Sequence, residues 1–95
     1  MNQIYQRKHY KVYQTDNGYI VHNSKMKDFA HSHIQNYKAC LWIIDLSIKK
    51  KCPYDIPKYF IVSLIRLTDD EKYLEKLNAL LEKKNKKKDS YYNRK

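Results

Sequence analysis

A single glycine stands in ninety-five residues, and it follows an asparagine in YQTDNGYIVHN. Asn-Gly between two alternating runs of aromatic and β-branched residues is the strongest short-range signal for a β-hairpin. The hairpin is expected over about residues 8–24. With Asn17 and Gly18 as the two loop residues of a type I′ turn, Asp16 faces Tyr19, Gln14 faces Val21 and Val12 faces Asn23. Gly18 then needs a positive φ. Strand alternation places Tyr10, Val12, Tyr19 and Val21 on one face and Lys11, Tyr13, Ile20 and His22 on the other. A lone hairpin is not stable in water, so the first, more apolar face must pack on something. The second face is left to meet a partner. With one glycine the chain also cannot build a glycine-rich phosphate loop.

From Met26 the apolar period changes. Ala30, Ile34, Tyr37, Leu41, Ile44 and Ile48 are spaced four, three, four, three and four apart, an amphipathic helix pattern. A helix over 26–50 would be roughly 37 Å long at ~1.5 Å per residue. Ser24 would cap it, with Asp28 in its first turn and Lys49, Lys50 and Lys51 at its end, each sign where the helix dipole favours it. Cys52-Pro53 stops it. Phe29, Cys40, Trp42 and Ile43 widen its apolar surface, enough to admit a homodimer through this long helix. A second helix is expected over 56–67, capped by Asp55 with Pro57 in its first turn. A third spans 69–82, opened by the capping-box pattern Thr68 to Glu71. The apolar pattern stops at Leu81. Residues 83–95 follow as a basic tail, either a frayed continuation of the helix or disordered. The expected fold class is α+β and mostly helical: an N-terminal β-hairpin, three α-helices in one domain over 1–82, and the basic C-terminal tail.

Charge points to the class of partner. The formal net charge is +10, from 17 Lys and 3 Arg against ten acids. Such a balance attracts nucleic acid, acidic protein faces or anionic surfaces. Lysine is a hydrated point charge, whereas arginine is the planar fork that reads base edges. The excess of lysine therefore suggests attraction to a phosphate backbone more than base readout. Abundant Lys, Asn, Ile and Tyr also fit an AT-rich genome, hence a low-GC bacterium or its phage or mobile element. Residues 52–82 hold four basic and six acidic groups, a net of −2, while residues 83–95 carry a net of +6. Aromatic residues interleaved with lysines suit stacking on unpaired bases. The expected binding surface thus joins Lys11, Tyr13 and His22 of the hairpin, Lys49, Lys50 and Lys51, and the tail with Lys83, Lys84, Lys86, Lys87, Lys88, Tyr91, Tyr92 and Arg94. A recognition-helix use of the third helix is disfavoured, because Asp69, Asp70 and Glu71 would meet phosphates at its start.

Other chemistries have weaker support. His31 and His33 lie two apart in a stretch expected to be helical, where such residues point away from each other. Cys40 and Cys52 are not spaced as paired zinc ligands, so neither a metal nor another cofactor is expected. Cys40 beside an apolar stripe reads as a small buried hydrophobe and not a nucleophile. Asp45 inside IIDLSI reads as a carboxylate held by a basic group of a neighbouring helix. No enzyme is expected. With no apolar leader and no run long enough to span a bilayer, residence in the cytoplasm is the expectation, with no membrane partner and free cysteines. The reading is a small non-enzymatic protein that binds nucleic acid or a nucleic-acid-handling complex. The alternative is a protein-binding inhibitor of a host enzyme or defence nuclease (an anti-CRISPR-like role), acting by surface occupation.

Overall fold

A computed structural model describes residues 2–26 and 30–93, with side chains as far as residue 85. The chain is α+β. Four strands come first: β1 (Asn2–Arg7), β2 (Tyr10–Thr15), β3 (Gly18–Asn23) and β4 (His31–Ile34). Three helices follow: α1 (Tyr37–Lys49), α2 (Lys58–Leu67) and α3 (Glu71–Asn93). The strands form one antiparallel sheet in the order β1-β2-β3-β4. Helices α1 and α2 pack on one of its faces, the two-layer solution for an amphipathic sheet, and α3 packs on α2.

The expected β2–β3 hairpin is present, with its turn one residue earlier. Thr15 pairs with Gly18, Gln14 with Tyr19, Val12 with Val21 and Tyr10 with Asn23. Asp16 and Asn17 are therefore the loop, and neither has a positive φ. The Thr15 hydroxyl decides this. It accepts from the Asn17 N–H at 3.2 Å and donates to the Gly18 carbonyl at 3.1 Å, a side-chain turn that competes with the type I′ geometry. Gly18 does have a positive φ, of 141°, but for a different reason. A Cβ there would sit 3.0 Å from the Ile34 carbonyl oxygen, so the glycine lets β3 lie close against the end of β4. Because the register moves without exchanging faces, the two sets of side chains stay as the alternation implied. Tyr10, Val12 and Val21 are buried, with Tyr19 packed at their edge.

The long helix over 26–50 is corrected. Its front half holds β4, and the helix begins only at Tyr37. Ala30 and Ile34 lie four apart, a spacing that satisfies a strand period of two as well as a helical one. The strand reading needs Ser32 to face inward. It does: Ser32 is buried and its hydroxyl donates to the Ser63 hydroxyl of α2 at 2.7 Å. A polar residue at an inward position hid the alternation. Ser24 does not cap a helix; it donates to the His9 carbonyl at 2.8 Å. Asp28 and Phe29 lie outside the described residues. Asn36 caps α1, its Oδ1 accepting from the Ala39 N–H at 3.2 Å. At thirteen residues α1 is roughly 20 Å long. Its buried face is Cys40, Ile43, Ile44 and Ser47, spaced three, one and three, with Leu46 beside it. Leu41, placed in the stripe by spacing, is only half-buried, and Trp42 is 38% exposed.

The last two helices start within two residues of their expected positions but do not keep their expected caps. Pro57 occupies the α2 N-cap without a side-chain bond, and Asp55 is exposed. Asp70, rather than Thr68, caps α3, accepting from the Tyr73 N–H at 2.8 Å; Thr68 in turn accepts from the Asp70 N–H. Ile61, Leu64, Leu67, Tyr73 and Leu77 complete the core with the inner sheet face and α1. Tyr73 is a core residue, its hydroxyl 2.7 Å from the Lys51 carbonyl just past the end of α1, whereas Tyr59 is 67% exposed. The buried Asn23 amide joins the layers, donating to the Leu67 carbonyl at 2.7 Å and accepting from the Lys25 N–H. The backbone of α3 continues through the lysine-rich segment to Asn93. No helix among the described residues is long and apolar enough to cross a membrane.

Candidate nucleic-acid interface

The outer face of the sheet carries no helix. Strand pairing lays its residues out in two rows. Gln6, Lys11, His22 and His31 lie side by side across the four strands. Gln3, Tyr13, Ile20 and His33 form the second row. A bulge between Gln3 and Tyr5 adds Ile4, an exposed apolar residue, at the β1 edge. Three of the sequence-derived candidates, Lys11, Tyr13 and His22, thus share one surface. His31 and His33 join them, because β4 is a strand and residues two apart on a strand point the same way. Their rings stand 5.4 Å apart, edge to face. The His22 Nδ1 lies 3.1 Å from the Ala30 carbonyl. A carbonyl only accepts, so Nδ1 carries the proton and Nε2 remains to meet solvent or ligand. No group of three or more His, Cys, Asp or Glu among the described residues is arranged to hold a metal ion.

At the β4 edge this face turns into a concavity of about 320 Å³. His33 belongs to both. Asn36, Tyr59, Phe60 and Ser63 form other parts of its wall. Phe60 is the hub of an aromatic group, with Tyr59 at 4.5 Å and Trp42 at 5.2 Å between ring centroids. Trp42, expected to widen the apolar surface of a long helix, and Tyr59 are both exposed.

The lysines at the end of α1 do not join this face. Lys49, Lys50 and Lys51 end α1, on the other side of the sheet. Lys49 pairs with Asp45 at 3.3 Å, and Lys50 with Asp70 at 2.6 Å. Two of the three charges are thereby partly offset, and Lys51 remains exposed. Asp45 is held chiefly by Arg7 of β1, at 3.1 Å, rather than by another helix; this hydrogen bond, then Lys49, keeps its carboxyl below the usual carboxylate range. Lys84 donates to the Tyr54 carbonyl at 3.3 Å, and Lys83 is exposed. The side chains of Lys86, Lys87, Lys88, Tyr91 and Tyr92, and all of Arg94, lie outside the described residues.

Neither cysteine offers a nucleophile. Cys40 is fully buried and free, and burial pushes its thiol up to about 11. Cys52 is half-buried and free, its thiol also raised by burial. Thiols in such surroundings are inert.

No protein-family model, curated protein or solved structure matches this chain.

Proposed function

We propose that this protein is a non-enzymatic binder of single-stranded nucleic acid, which lies across the outer sheet face with its bases on the rings of Tyr13, His22, His31 and His33. The observation that carries the reading is this gathering of four rings and Lys11 on the one sheet face that no helix covers. Every base has a π-face, so a platform of rings binds strands with little regard to sequence, at about 1–3 kcal/mol for each base engaged. One lysine on the platform neutralises about one phosphate, which is too little to hold a duplex by charge alone. Here the lysine-rich segment 83–95 supplies the long-range attraction and the platform supplies the contact. The concavity at Tyr59 and Phe60 extends the path of the strand over the β4 edge.

Fluorescence anisotropy with a labelled single-stranded oligonucleotide over a salt series tests this. Tyr13→Ala should weaken binding by roughly 1–3 kcal/mol at nearly constant salt slope. Lys11→Gln should flatten the log–log slope by about 0.7. Wild-type affinity in both variants would remove the platform from the reading. A second reading, a module that occupies a protein surface, is favoured by the exposed Trp42–Phe60–Tyr59 group, since aromatic residues are enriched in protein interfaces. Under that reading Trp42→Ala abolishes capture of a host protein after nuclease treatment, and Tyr13→Ala does not.

A further inference from the structure

A smaller cavity lies at the opposite end of α1 from the aromatic concavity, of about 160 Å³. The β1–β2 loop contributes Lys8 and His9, the segment after β3 contributes Lys25, the end of α1 contributes Ser47 and Lys50, and the α2–α3 link contributes Thr68 and Asp69. Tyr10 also lines the cavity, with its hydroxyl close enough to Ser47 to influence it; among the described residues, His9 Nε2 and Ser47 Oγ are the buried side-chain polar atoms without a hydrogen bond of full geometry. Both belong to residues that line this one cavity. Ser47 is only 4% exposed. Leaving such atoms unpaired is costly, and two in one place mark a position made for an occupant.

The charges around it favour an anion. Lys8 and Lys25 line the cavity and have no salt-bridge partner among the described residues, while Lys50 is held by Asp70. Asp69 opposes them. At the His9 ring the lysines prevail: after burial, Lys25 is the strongest influence, ahead of Asp69, and the imidazole is held below its ordinary range. Thr68 accepts from the Asp70 N–H and still has its hydroxyl proton to give.

We propose that this cavity binds a phosphate-type oxyanion, with Ser47, Thr68 and His9 donating hydrogen bonds and Lys8 and Lys25 supplying the charge. The site lies on the helix side of the sheet and does not depend on the outer face binding anything. An anion seated there stabilises the proton on His9 Nε2, so the occupant reports itself through that histidine.

The test follows the four histidine rings by NMR through a pH titration, in inorganic phosphate and in sodium chloride of equal ionic strength. Phosphate should raise the His9 pKa saturably and leave His22, His31 and His33 where they are. Ser47→Ala should weaken phosphate binding about tenfold or more, as expected for loss of a hydrogen bond to a charged group. Lys25→Gln, at an exposed position that the fold does not need, should weaken it as well. Identical His9 titrations in the two salts, or a uniform shift of all four rings, would overturn the proposal and leave the cavity to ordered water. The source of the phosphate is separated by a 5′-phosphorylated oligonucleotide against its 5′-hydroxyl counterpart. Tighter binding of the first, lost in Ser47→Ala, assigns the cavity to a terminal phosphate of nucleic acid. Equal binding of both, with inorganic phosphate still moving His9, assigns it to a small free phosphate compound.

Discussion

The two faces of the sheet are built from the same strands and read oppositely. On the inner face Tyr10, Val12, Val21 and Ile34 vanish into the core, and the polar residues among them, Ser32 and Asn23, are each hydrogen-bonded to α2. On the outer face Lys11, Tyr13, His22, His31 and His33 lie on neighbouring strands, and no helix among the described residues covers them. The inner side chains hold the fold together. The outer ones are costly to keep as an accidental surface, since a row of rings beside a lysine is an invitation to association. Substitutions on the two faces should therefore separate stability from binding.

The largest effect is expected on the inner side. Ile44→Asp places a carboxylate where no water reaches and should cost about 4 kcal/mol or more, comparable to the whole stability of a domain this small. Leu41→Asp, three residues earlier and only half-buried, should leave a folded protein. Urea denaturation of the two variants checks this. If both unfold, the buried face of α1 is wider than Cys40, Ile43, Ile44 and Ser47.

That pair also shows how far the sequence could be read. The periods that located α2 and α3 are long and unbroken, so their bounds followed to within about two residues, leaving aside how far α3 runs on. The hairpin faces were legible because alternation survives a register error that keeps parity. β1 was not legible: its alternation is interrupted by the bulge at Ile4, and its other residues are mostly polar. β4 was hidden because Ala30 and Ile34 serve both periods and Ser32, inward and polar, breaks the apolar alternation. The cost fell on the candidate site. With His31 and His33 assigned to a helix, their shared face with Tyr13 and His22 could not be seen.

Gly18→Val should rank second, at more than about 1 kcal/mol, since valine resists the positive φ and its Cβ meets the Ile34 carbonyl. An unchanged melting temperature would mean that β3 can draw away from β4 without loss. Ser32→Ala comes third, at about 1 kcal/mol, because it strands the Ser63 hydroxyl in the interior. The double variant Ser32→Ala, Ser63→Ala should recover part of that loss. A double variant that is the sum of the singles would show the two hydroxyls to be independent.

The smallest effect is a pH dependence. His9 is held below its ordinary pKa near 6.5, so the folded state disfavours its proton. The unfolded chain then binds more protons below that value, and stability falls as pH drops through it. His9→Gln should flatten this part of the stability–pH curve. Asp45 and Asp70 carry depressed pKa values and act lower, losing their contribution as pH falls below the ordinary carboxylate value near 3.8 and through their folded values. A curve unchanged near pH 6 in His9→Gln would mean that His9 is as free to protonate in the fold as out of it.

The outer face itself is tested most directly by mapping amide and ring chemical shifts as a short single-stranded oligonucleotide is added. The expected shifts fall on Lys11, Tyr13, Ile20, His22, His31 and His33, run over the β4 edge toward Tyr59 and Phe60, and spare Val12 and Val21 on the other side of the same strands. Shifts confined to residues beyond 82, with the sheet silent, would contradict a stacking platform and leave only the electrostatics of the lysine-rich segment.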